Sequence, residues 1–176
     1  MKLRILIVSL VALLSVVSTA AIVSAHEDSH EARHEDSHED RNFRARLSGG
    51  EEVPAVDTDA RGGAKLKLSK DGDELQFKLR AKKIEDVTAA HIHCGAEGVN
   101  GPVAVFLYSG PVVTPHGILS EGTLTATDVI ALPDSAACPG GIATFDDLIA
   151  KMRSGDAYVN VHTLVNPGGE IRGQVR

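Results

Sequence analysis

Two histidines stand one residue apart in Ala90-His91-Ile92-His93-Cys94-Gly95, and a third, His162, lies downstream in Val159-Asn160-Val161-His162-Thr163. If both stretches are strands, their period of two puts His91 and His93 on one face and His162 on the polar face of its own strand. Ile92, Val159 and Val161 are then left for a core. Imidazole nitrogens are borderline-soft donors, so three of them meeting on one polar surface suit a single copper ion, with zinc as the alternative. His116, in Thr114-Pro115-His116-Gly117, falls in an expected loop and is a candidate fourth ligand. The plainer reading of the same histidines is structural. His91 and His93 would hydrogen-bond loops that cover the sheet, and His162 would tie down the turn Asn166-Pro167-Gly168-Gly169.

These side chains must be held by strands. Alternation supports eight, at 43–47, 63–69, 74–81, 88–93, 102–108, 122–126, 157–163 and 170–175. Asp71-Gly72 between two alternating runs signals a hairpin. One short helix is expected over 145–154, capped by Thr144, with Asp146 and Asp147 at its positive end and Gly155 at its close. Many short strands punctuated by turn residues imply an all-β fold, an antiparallel Greek-key-like sandwich or barrel with that one helix. On the last strand Arg172 shares a face with Glu170 and Gln174, which reads as a Glu-Arg pair on a sheet surface. Glu52 and Asp57 precede turns and are expected to accept backbone hydrogen bonds.

Before the strands come two segments of different character. Met1-Lys2-Leu3-Arg4, an apolar run from Ile5 to Ile22 and the small-residue exit Val23-Ser24-Ala25 read as a signal peptide over 1–25, or as an uncleaved anchor. Either way the rest is exported, to the periplasm, the cell surface or the medium, and it meets a membrane only if the leader is kept. Residues 26–41 repeat His-Glu-Asp-Ser-His-Glu with almost nothing to bury, which makes them a charged tail. Its histidines, His26, His30, His34 and His38, recur every fourth residue and form a candidate low-affinity metal collector. In an exported chain the two cysteines, Cys94 and Cys138, read as a disulfide. A net charge of −6 argues against nucleic acid. Nucleophile-elbow, phosphate-loop and dinucleotide motifs are missing from the sequence.

Leu47-Ser48-Gly49-Gly50-Glu51-Glu52-Val53-Pro54, the His-x-His strand, Gly122-Thr123-Leu124-Thr125, Tyr158-Val159-Asn160-Val161-His162-Thr163 and Gly168-Gly169-Glu170-Ile171-Arg172-Gly173-Gln174 resemble, in order, the CHRD domain. The resemblance spans 43–176, within a domain at 42–176. It implies an extracellular module, since the family takes its name from chordin, a protein that captures secreted growth factors. An extracellular protein or polymer partner, with no metal chemistry, is therefore the alternative function. The histidine pattern also resembles the copper site of copper-zinc superoxide dismutases. That resemblance implies His91, His93 and His162 as copper ligands, Arg172 as a guide for an anion, and redox chemistry with superoxide. It does not extend to a bridging histidine or a zinc set, and it leaves open whether the protein is an enzyme.

Overall fold

A computed structural model describes residues 41–176. The expected signal peptide and all of the tail but Arg41 lie outside the described residues. Eight strands follow in chain order: β1 (Asn42–Ser48), β2 (Arg61–Leu68), β3 (Leu75–Lys82), β4 (Val87–Cys94), β5 (Val103–Val113), β6 (Gly117–Leu124), β7 (Ala157–Thr163) and β8 (Ile171–Gln174). They pair antiparallel in one sheet, in the order β5-β4-β7-β8-β1-β2-β3-β6. Ser120 of β6 donates to the Leu107 carbonyl of β5 at 2.8 Å, linking the two end strands. The sheet is thus a nearly closed barrel, with one short helix.

Alternation explains most of this. Phe43, Ala45 and Leu47 of β1 and Ala64, Leu66 and Leu68 of β2 are buried, while the residues between them face outward. The differences from expectation fall where burial stops guiding the pattern. β5 runs on to Val113 and β6 begins at Gly117, because these exposed stretches are held by backbone pairing to β4 and β3. The hairpin after β2 is longer than a two-residue turn. The Ser69 hydroxyl donates to Asp73 Oδ1 and accepts from the amides of Asp73 and Glu74, and Gly72 takes the left-handed φ of +80°.

The helix, α1 (Phe145–Ser154), matches its expected range. Thr144 and Asp147 form a reciprocal capping box, and Gly155 ends the helix in the left-handed conformation. Its apolar side, Phe145, Leu148, Ile149 and Met152, joins the core. Just ahead of it, Cys138 is disulfide-bonded to Cys94 at the end of β4. The strand bearing His91 and His93 and the segment leading to the strand bearing His162 are therefore covalently joined.

Candidate metal centre

In the β4–β7 ladder Ala89 stands opposite His162, His91 opposite Asn160 and His93 opposite Tyr158, while Ile92 pairs with Val159. Opposed residues share a face, so the three histidines lie on the outer side of two neighbouring strands and the aliphatics lie inside. Register shifts against β5 fall between Ala90 and His91 and between Ile92 and His93. Such irregularities re-aim side chains and are common beside functional sites. The outward face is not open to solvent, as the alternation had implied. Every residue of β7 is buried, and His91, His93 and His162 are 8, 7 and 9 % exposed, because loops close over this side of the barrel.

The hydrogen bonds fix the proton on each ring. His93 Nδ1 meets the Gly101 carbonyl at 2.9 Å and His162 Nδ1 meets the Pro167 carbonyl at 3.0 Å. A carbonyl only accepts, so both Nδ1 atoms carry hydrogen and both Nε2 atoms present lone pairs. His162 Nε2 lies 3.0 Å from His91 Nδ1, which must then be the donor, so the His162 lone pair is engaged by His91 while His91 Nε2 keeps a free one. His91 Nε2 and His93 Nε2 are buried without any hydrogen-bond partner. Aromatic neighbours hold the rings. His91 meets Phe106 edge-on at 4.6 Å, and His93 stacks on Tyr158 at 4.8 Å and 9°.

The surroundings keep all three rings neutral. Burial, reinforced by His162 and His93, pushes His91 down to about 4. Burial also pushes His93 down to about 4, although the bond to Gly101 opposes the shift. His162 is lowered by burial against the bond to Pro167. Neutral imidazole is the metal-binding form. One potential ligand atom from each histidine lies within 4.8 Å of the others, and no other such group of His, Cys, Asp or Glu occurs among the described residues. Bonds near 2 Å ask for nitrogens about 3 to 4 Å apart, so holding one ion requires the rings to draw together and the His91–His162 hydrogen bond to open.

The match to known families is decisive for the fold's lineage: a model of the CHRD domain covers residues 43–175. The chain belongs to the CHRD domain family. Comparisons with curated proteins and with solved structures gave no match.

Other residues of this CHRD domain are placed less as the sequence suggested. His116 is exposed in the turn between β5 and β6 and is not part of the histidine group. Arg172 forms no pair with Glu170. Its guanidinium donates to the carbonyls of Ala96 and Val99 and to Asn100 Oδ1, and lies 3.4 Å over the Tyr158 ring. Only 1 % of Arg172 is exposed, whereas anion guidance needs a guanidinium open to solvent. Glu170 accepts instead from Thr58, Thr163 and Asn166, which braces the turn that carries Pro167.

Glu52, expected to accept backbone hydrogen bonds ahead of a turn, is instead drawn into the covered face. It is 7 % exposed and takes a side-chain bond from Asn160 at 3.5 Å rather than backbone bonds, and its Oε1 has no partner. Burial pushes its carboxyl up to about 7, against the opposing pull of Arg172 and Asn160. Two glycines let the covering loops approach. A Cβ on Gly101 would lie 1.6 Å from the Cys94 carbonyl oxygen. Gly169, at φ +129°, sits where a Cβ would meet the Asn160 amide at 2.5 Å and Glu52 Oε1 at 2.7 Å. Tyr158 and Asn160 share the parity of His162, so their place on this face was readable. Glu52 lies in an irregular segment and gave no such signal.

Proposed function

We propose that this is an exported metal-binding CHRD domain that holds one copper ion, or zinc in its place, through His91, His93 and His162. The observation that carries this reading is the pair of buried, unpartnered nitrogens, His91 Nε2 and His93 Nε2, beside a third imidazole. Orphaned buried acceptors cost stability in a protein with no other use for them. The bonds from His93 and His162 to backbone carbonyls are the outer contacts that orient metal-ligating histidines and raise their basicity. Copper would supply one-electron chemistry when bound, and a reaction with superoxide is the extension of this reading. The disulfide suits an oxidising compartment, the leader would deliver the chain there, and the tail histidines would raise the local metal supply.

The bonds from His93 and His162 to loop carbonyls also fit the competing reading, in which the histidines only organise the loops of a binding module. Metal analysis separates the two. In the full chain with His26, His30, His34 and His38 replaced by Ala, one copper per molecule is expected to survive desalting, and the further change His93→Ala is expected to abolish it. Equal copper in the two proteins would refute the site.

A further inference from the structure

The outer face of β1, β2 and β3 is the opposite of the histidine face in both covering and charge. Arg44, Lys65 and Lys78 stand side by side across the three strands. In neighbouring rows Arg46 and Arg80 flank Gly63, and Arg61 stands opposite Lys82. With Lys67, this face gathers eight of the chain's 18 Lys and Arg in a protein of net charge −6. Seven of the eight are exposed and Lys78 is half-buried. The only acid within these rows is Glu121 of β6, paired with Lys78 at 2.7 Å.

Like charges directly opposite each other across strands are destabilising. Protection of a sheet edge would account for cations on an edge strand, but β1, β2 and β3 are all interior strands of the sheet. The geometry points to a docking face for an extended polyanion, and we propose that its ligand is an acidic polysaccharide, one bearing sulfate or carboxylate groups at close intervals. Strands about 4.8 Å apart, with outward residues roughly 6.6 Å apart along each, space these cations closely over the barrel wall. Arginine and lysine recognise such groups as fork and point charge respectively. The outward positions in these rows carry no aromatic side chain on which nucleobases could stack. The disulfide marks an oxidising compartment, away from the anionic cytoplasmic leaflet.

The test is retention of the full chain on immobilised heparin and on immobilised polygalacturonate. Binding to either, weakening steeply with added salt, is expected. Lys65→Glu should weaken binding several-fold and Lys65→Glu with Arg80→Glu by roughly tenfold or more, while Arg153→Glu on α1, equal in net charge to the single change but off this face, should change it far less. Circular dichroism and thiol titration establish that each variant keeps its fold and disulfide. Lys65→Arg with Arg80→Lys should retain binding. The proposal is overturned by absent retention at low salt, by equal losses in the on-face and off-face variants, or by binding to duplex DNA or phosphatidylserine vesicles without binding to either polysaccharide.

Discussion

Proton positions give the centre its pH behaviour. In the metal-free protein His91 and His93 remain neutral down to about 4, whereas the unfolded chain protonates them near 6.5. Between those values the unfolded state binds more protons, so these residues make stability fall as pH drops from 6.5 to 4. His162 acts in the same direction. Glu52 acts oppositely. Its carboxyl titrates near 7 when folded and near 4.5 when unfolded, so its protonated form favours the fold below 4.5 and that contribution is lost as pH rises through 7. With at least two histidines against one carboxyl, denaturant titrations of the apo protein should show a net gain in stability from pH 4.5 to 6.5. Glu52→Gln removes the opposing contribution. The rise with pH should steepen, and stability at pH 8 should increase by about 1–3 kcal/mol. A flatter profile in the variant would show that the charged carboxylate is favoured by its surroundings.

The same centre depends on loops as whole elements. The turn between β7 and β8 holds His162 through the Pro167 carbonyl, and is itself held by Glu170, Thr58 and Thr163. Gly169→Ala should displace this turn, because the new Cβ meets Asn160 and Glu52 and the residue has φ +129°. A loss of about 1–3 kcal/mol is expected from the backbone conformation alone. Copper affinity should fall with it, measurable by competition with a chelator, and unchanged affinity would mean that Pro167 does not position His162. What the sequence disclosed at this scale was the parity of strands. It placed His91, His93 and His162 on the polar side and Ile92, Val159 and Val161 within. Loop closure was legible only in part: the turn at 166–169 was expected to be tied down by His162, and is, through Pro167, but Glu52 and Gly101 reach the site from irregular segments with no periodicity to read. The Arg172 partners were hidden for the same reason: they are carbonyls and an amide of the 95–102 loop, whose path no local pattern specifies.

At the level of the whole molecule, the barrel separates its surfaces. β4, β7 and β8 are covered by loops that enclose imidazoles, while β1, β2 and β3 present an open basic grid. The disulfide spans 44 residues, tying the covered strands to the segment before α1. Replacing both cysteines by Ala should cost about 2–4 kcal/mol, read from the denaturation midpoint. The barrel's outline was legible because its small aliphatics alternate with polar residues through most strands. The full lengths of β5 and β6 were not, because backbone pairing rather than burial extends them.

X-ray absorption at the copper edge, on the full chain with its tail histidines replaced by Ala, addresses the three-imidazole centre most directly. Three imidazole nitrogens near 2.0 Å are expected, with that signal lost in His93→Ala. A copper shell dominated by oxygen, or one unchanged by that substitution, would contradict it.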